Sequence, residues 1–245
     1  MSVHKPFSRY TAETNFSAGP VSSAEMTTAI GYNILPRLRY LLAHAHRVSY
    51  HPHEALYHQG DVADTVLFIT SGFLKLVSHL PNGRVRIVRL HRSGSILGLG
   101  SLFRKNHKQT AVAITPVTAL CLPVSTLRRL RTDDPTTYAR LVESWHDDLQ
   151  QADMWITQFS TGPIRGRVAR LLVFLDEFEP EFADGQVRLL TCEEMGSILG
   201  VTSESVSRTL AEFKRRHLLV FAQRDDASKE IYNADMNSLC KIADE

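Results

Sequence analysis

The chain has little cysteine, no long apolar run and almost no net charge. Its three cysteines, Cys121, Cys192 and Cys240, lie far apart among 245 residues and form no Cys-x-x-Cys pair. Such spacing suggests neither a zinc ribbon nor a disulfide framework, so reduced and mostly buried thiols are expected. No apolar stretch approaches the roughly 20 residues that span a bilayer. The N-terminus lacks the charged-then-apolar layout of a signal peptide. A cytoplasmic location with no membrane partner follows as an expectation. The formal net charge is only +2, and acids outnumber bases in the C-terminal third. A global polycation is excluded, and any nucleic-acid contact must rest on a local patch. A hydrophobic content of 43% with 22% charged residues is ordinary for a globular protein.

The most informative stretch present is residues 191–219. Thr191 followed by Glu194 is a capping-box pattern, in which hydroxyl and carboxylate each satisfy an orphan amide. A short helix from there puts Met195, Ile198 and Leu199 on one face. Gly200 can stop it in the left-handed conformation. Thr202 then reads as a second N-cap, and the next helix buries Val206, Leu210 and Phe213. Two short helices joined by a glycine-containing turn form the helix-turn-helix layout, whose second helix can enter a major groove. On the outward face of that helix fall Glu204, Ser207 and Arg208. Arginine can fork onto guanine O6 and N7, a carboxylate can accept from cytosine N4, and a hydroxyl is permissive. Lys214, Arg215 and Arg216 follow at the helix end, where cations suit the dipole and nearby phosphates. Thr202, Ser203, Glu204, Ser207, Arg208, Lys214 and Arg215 are the expected DNA-binding set. Taken alone, Glu204 could merely complement the helix N-terminus and Arg208 could be a solvated surface residue; the joint pattern favours DNA.

Upstream, residues 1–30 are rich in Ser, Thr, Ala and Pro without an apolar period, which predicts a mobile arm. Leu38, Leu41 and Leu42 give a helical face. From residue 48 to 131, short strand-like runs alternate with turn signals at Gly60-Asp61, Ser71-Gly72, Asn82-Gly83 and Ser93-Gly94. Asn82-Gly83 is a hairpin signal of the type I′ kind, with positive φ at both central residues. Many short strands at near-regular spacing predict a jelly roll or barrel over residues 31–132. Asp133, Asp134 and Pro135 then start a long helix, residues 133–162. Its apolar positions Tyr138, Val142, Trp145, Leu149, Ala152, Ile156 and Phe159 alternate four and three. This is a heptad seam that predicts a parallel homodimer, with Leu141, Met154 and Trp155 packing on the chain's own β-roll. Gly162-Pro163 breaks the helix and is the expected hinge. Residues 163–245 form the last domain, with Val168, Leu171, Leu172 and Leu175 inward and strands near 187–190, 218–222 and 230–232 making a β-wing. The tail from Ala234 is weakly specified.

With these residues on the page, the chain resembles the catabolite-activator and fumarate-nitrate-reduction regulator (CRP/FNR) family over residues 41–219. The resemblance rests on His58-Gln59-Gly60 and Ser71-Gly72 in the β region, and on Glu204, Ser207 and Arg208 in the reading helix. It implies an α+β protein with an N-terminal cyclic-nucleotide-binding-like β-roll, a dimerisation helix and a C-terminal winged helix-turn-helix. It also implies a transcription regulator, not an enzyme, with double-stranded DNA, a second copy of itself and RNA polymerase as partners. The Glu-x-x-Ser-Arg pattern resembles the branch that reads TTGA-type half-sites. The other branch has Arg where this chain has Ser203, which leaves the outer base pairs of the half-site open.

The effector cassette departs from the family pattern. Cyclic-nucleotide binders carry Gly-Glu-Leu and Arg-Ser-Ala or Arg-Thr-Ala; the matching stretches here are Gly98-Leu99-Gly100 and Gln109-Thr110-Ala111. Both functional charges are missing, and a buried phosphate without a cation is costly. The matched long-helix positions, Asp148, Ala152 and Asp153, would repel a phosphate. Gly98, Leu99, Gly100, Gln109, Thr110, Asp148 and Ala152 therefore outline an effector pocket from which cyclic AMP and cyclic GMP are disfavoured. An iron–sulfur cluster is disfavoured too, because no cysteine precedes Cys121. A haem- or redox-responsive member of the family, using a different His, stays open, and the cofactor is otherwise unknown. From another class, a metal-dependent jelly-roll enzyme could use His51 and His53, since i and i+2 share a strand face. Pro52 and the placement of Glu54 count against that, and no metal site is assigned.

Overall fold

The computed structural model describes residues 36–178, 185–225 and 229–245, with residues 36, 37, 147–149 and 151 by backbone alone. Expectations about the N-terminal arm, and about Asp148 and Leu149 as side chains, lie outside those described. Two compact units emerge. One holds the described residues up to Ser78 together with Leu90–Leu149, and the other holds His79–Arg89 with the described residues of Gln150–Glu245.

Helix α1 (Pro36–Ala43) leads into eight strands, all in the first unit except for Val85–Arg89 of β5 and the last residue of β4: β1 (His46–Tyr50), β2 (Ala55–Tyr57), β3 (Thr65–Ser71), β4 (Phe73–His79), β5 (Val85–Arg92), β6 (Ile96–Leu97), β7 (Thr110–Ala113) and β8 (Val117–Pro123). They form two four-stranded sheets, ordered β1-β8-β3-β6 and β2-β7-β4-β5. Strand β3 is buried along Thr65–Thr70, because side chains on a strand alternate between faces and both faces are covered here. Val66 and Phe68 join a cluster with Leu38 and Leu42 of α1, Leu120 and Leu122 of β8, and Leu127, Leu130 and Leu141 of the helices that follow. Gly72 has φ of +92°, and a Cβ there would run into the Pro116 carbonyl oxygen, so the β3–β4 corner admits only glycine.

Strands β7 and β8 are separated at Pro116, which has no amide to give a ladder. Two features differ from the sequence expectations. Helix α2 (Val124–Asp133) lies within the span expected to be β; Pro123 offers it no side-chain cap to advertise its start. At Asn82-Gly83 only Gly83 has positive φ. The Asn82 side chain instead accepts from the Arg84 amide at 3.1 Å, and Leu80 donates to the Arg84 carbonyl oxygen at 2.9 Å. The loop is therefore longer than a two-residue type I′ turn.

Helix α3 (Pro135–Ser160) runs 26 residues. Helix α4 (Ile164–Phe178), strand β9 (Gln186–Arg188), helices α5 (Cys192–Leu199) and α6 (Ser203–Arg215), strands β10 (Leu219–Arg224) and β11 (Glu230–Ala234), and helix α7 (Met236–Ala243) complete the second unit. The sheet order is β10-β11-β9. Val168, Leu171, Leu172 and Leu175 of α4 are all buried, as their spacing requires. The tail is better specified than its composition suggested: Asp235 caps α7 by accepting from the Ser238 amide, and Leu239 and Ile242 are buried.

Gly162 breaks the long helix with φ of +83°, yet the joint is braced. Arg170 donates to the carbonyl oxygens of Gln158 at 2.8 Å, Thr161 at 2.5 Å and Ala243 at 2.7 Å. Arg167 donates to that of Phe159 at 2.9 Å. These bonds satisfy the orphan carbonyls of the helix end. The division between the two units falls inside α3, between Leu149 and Gln150.

Candidate nucleic-acid interface

The local rules that build the reading helix are all met. Thr191 and Glu194 close a capping box, with the Thr191 amide donating to Glu194 Oε2 at 3.0 Å and the Glu194 amide to Thr191 Oγ1 at 3.1 Å. Gly200 ends α5 at φ 68°, ψ 33°. Gly196, which the pattern reading passed over, matters as much: a Cβ there would lie 2.8 Å from the Val201 carbonyl oxygen, so the turn can fold tightly against α5 only over a glycine. Thr202 caps α6, accepting from the Ser205 amide at 3.3 Å. Val206 and Phe213 are fully buried and Leu210 nearly so. Each such burial contributes about 1.5–3 kcal/mol, which anchors the helix on one side and presents the other.

The presented side carries Ser203, Glu204, Ser207, Arg208, Ala211 and Arg215, all exposed. They follow the i, i+3, i+4, i+7 stripe of one helix face. Among the described residues, no ion pair or side-chain hydrogen bond engages Glu204, Ser207, Arg208 or Arg215, so their polar atoms are available to a ligand. Two other expected members are already engaged. Thr202 Oγ1 serves the cap and also meets Ser205 Oγ at 3.0 Å. Lys214 donates to Tyr232 Oη at 2.6 Å and sits 4.4 Å over the Tyr232 ring. Replacing Thr202 by Ala should therefore cost about 1 kcal/mol of stability through the lost cap, read as a lower urea midpoint; Thr202→Ser should restore it.

The Lys214 contact opens a chain that fixes the wing. Tyr232 Oη donates to Glu230 Oε2 at 2.7 Å, and Arg224 reaches Glu230 at 3.4 Å. The Tyr232 hydroxyl, with help from Lys214 and Arg224, holds the Glu230 carboxyl below the usual range. Beneath the wing, Arg188 pairs with Asp225 at 2.8 Å and Lys229 with Glu194 at 3.5 Å. The second pair ties the strands to the start of α5, so wing and helix-turn-helix form one surface.

Residues 47–134 match the cyclic nucleotide-binding domain family, and residues 166–242 match the Crp-like helix-turn-helix domain. The chain belongs to the CRP/FNR family of transcription regulators. It is 27% identical over 193 residues to the transcriptional activator protein Anr of Pseudomonas protegens, covering 78% of this chain and 77% of that protein. It is also 27% identical over 188 residues to the transcriptional regulator LdrP of Thermus thermophilus, covering 76% and 91%. The fold is that of FixK2 from Bradyrhizobium japonicum, with a TM-score of 0.70 at 24% identity over 81% of this chain and 96% of that one. As a CRP/FNR member it is a DNA-binding regulator and not an enzyme. No helix among the described residues is long and apolar enough to cross a membrane.

The metalloenzyme alternative is overturned locally as well. His51 and His53 are exposed and flank a turn, not a strand. His53 has φ of +69°, so the two rings do not share a strand face. The His51 amide donates to Glu54 Oε2 at 2.8 Å, closing the turn. Among the described residues no group of three His, Cys, Asp or Glu could hold a metal ion.

At the cassette, Gly98 takes φ of +85° before a 3-10 turn, Leu99–Leu102, and Leu99 is buried. Thr110 Oγ1 accepts from the Gln59 amide at 2.9 Å. The segment between is zipped to the β2–β3 loop: His107 donates its amide to Asp61 O at 2.9 Å, its carbonyl accepts from Gly60 at 2.9 Å, and Ala63 donates to Lys105 O at 2.8 Å. The His107 ring stacks on Tyr57 at 3.7 Å. Ala152 belongs to the other unit. Burial pushes the Cys121 thiol up to about 12, with the charge of Asp64 adding to it, which makes it a poor thiolate for redox chemistry.

Burial also pushes His107 down to about 4, against a smaller upward pull from Asp61. In the unfolded chain the imidazole takes a proton near pH 6.5. Between those values the unfolded state binds more protons, so stability rises with pH and falls on acidification from about 6.5 to 4. His107→Gln should flatten that part of the stability profile, as read from thermal midpoints across the window.

Three members of the expected seam already have partners within their own chain. Phe159 is buried in its own chain, edge-on to Trp155 at 4.9 Å and to Phe174 at 5.6 Å. Trp145 stacks on Phe103 at 5.1 Å and, with Tyr138, packs against the β-roll cluster. Leu141 packs on the β-roll cluster as expected, but Trp155 is buried against Phe159 and Phe174 instead, and Met154 is exposed. Ile156 is 62% exposed, and Val142 and Ala152 are half-buried.

Proposed function

We propose that the protein is a homodimeric regulator that reads an inverted repeat of TTGA-like half-sites. The observation that carries this reading is the unpaired, exposed face of α6, where Arg208 is set to take a guanine edge, Glu204 a cytosine amino group, and Ser207 to assist. Ser203, in place of the arginine of the other branch, supports the TTGA-like site. Two reading helices related by a two-fold axis would enter successive major grooves about 34–36 Å apart. The dimer would form along α3 through Val142, Ala152 and Ile156. The DNA-bound dimer would then meet RNA polymerase.

The effector, where one acts, is not a cyclic nucleotide: Leu99 and Gln109 stand where the ribose-binding Glu and phosphate-binding Arg would be. Because Arg167 and Arg170 brace Gly162, a reorientation of the DNA-binding unit would pivot within α3. Any ligand driving it must bind the two orientations with different affinity. The decisive experiment selects bound sequences from random duplex with the full-length protein. Enrichment of an inverted repeat with TTGA-like halves is expected; enrichment of single half-sites or of no sequence refutes the reading.

A further inference from the structure

Beside the cassette, where the segment between Gly100 and Gln109 meets the β8–α2 junction, the β-roll unit carries a concavity of about 590 Å³, within the usual size of small-molecule sites. Its walls come from the start of β3, the segment Arg104–Asn106 and the β8–α2 junction. Val62, Ala63, Pro123 and Val124 give it an apolar lining. Arg104, Lys105 and Arg128 supply three cations against one carboxylate, Asp64, a local balance of +2. Burial raises the pKa of Asp64, which weakens its opposition to an anion. Among the described residues no acid pairs with Arg104, Lys105 or Arg128. Arg128 is held in place by donating to the Ser101 carbonyl oxygen at 2.8 Å, which leaves other N–H groups of its fork for a ligand. The first turn of α2 carries no acidic residue and has no side-chain cap, so its amides add to the positive potential without having to define the site.

We propose that this cleft binds an organic carboxylate with an apolar body. The cations and the apolar lining together select the ligand class. A guanidinium pair with a lysine recognises a carboxylate through charge-assisted hydrogen bonds, while an apolar floor would strip water from inorganic phosphate without return. The cleft would be the effector site in the regulator reading, but ligand binding itself does not depend on that reading and is measured without DNA.

The test is isothermal titration of the full-length protein with octanoate and with benzoate, alongside inorganic phosphate and a short poly-glutamate peptide. One of the two carboxylates should bind, and Arg104→Gln with Lys105→Gln should weaken it at least about tenfold, as expected for losing charged hydrogen bonds. Both side chains are exposed and unpaired, so the variant should fold; unchanged circular dichroism and DNA affinity would verify that. Four results would overturn the proposal: no carboxylate binding at millimolar concentration, binding indifferent to the double substitution, phosphate binding as tightly, or the peptide binding more tightly. The last would mark a protein-contact surface instead. All four would leave the DNA reading untouched, because they concern a different unit and a different ligand.

Discussion

Ile156→Asp is expected to give a folded monomer whose affinity for an inverted repeat falls on the order of 100-fold or more. The reason for choosing Ile156 is its exposure. At 62% exposed, it contributes little to the fold of a single chain, so an aspartate there costs little until a second chain must cover it. A carboxylate facing its symmetry mate would then bring two like charges together in an apolar strip, which is strongly unfavourable. DNA affinity would drop because the second half-site is reached only through the dimer, and losing that linkage forfeits about 10²–10⁴ in avidity. Sedimentation should show the monomer, and binding to an isolated half-site should be unchanged. A variant that remains dimeric would move the interface off this face of α3. Trp145→Asp would be a poorer test, since Trp145 packs on Phe103 and the β-roll cluster, and its loss would confound folding with association.

The contrast between those two residues shows where the sequence was legible. Signals that depend on a few neighbouring residues were read correctly: Thr191 with Glu194, Gly200, and the spacing of Val206, Leu210 and Phe213. Each is a local backbone or period requirement that the tertiary structure had no reason to override. The heptad along α3 was different. Period identifies apolar faces but not what covers them, and this helix carries more than one. Phe159 shares a face with Trp155 at i and i+4, and Phe174 from α4 completes that aromatic group; nothing in the α3 pattern announces Phe174. Helix α2 was missed for the complementary reason, because Pro123 leaves its start without a capping signature. The engagement of Lys214 by Tyr232 joins residues on different elements, and no motif spacing encodes it. Nor does spacing reveal the Arg167 and Arg170 bonds across Gly162.

Replacing Arg208 by Ala should separate reading from mere attraction. On a cognate half-site the loss should be about 1–3 kcal/mol, roughly 5- to 150-fold, with relaxed preference at one base pair. On unrelated duplex the change should be small, and the slope of affinity against salt should stay nearly constant, because a base contact releases no condensed counterion. Arg215 offers the internal control. It is exposed and unpaired at the far end of the same stripe, where it can reach only the backbone if Arg208 sits over a base edge. Arg215→Ala should then weaken all sequences alike and reduce the salt slope by about one. Neither substitution removes a contact within the chain, so differences in folding cannot account for the outcome. Should Arg208→Ala weaken every sequence equally and lower the salt slope, Arg208 would be a phosphate contact, and base recognition would have to pass to Glu204 and Ser207.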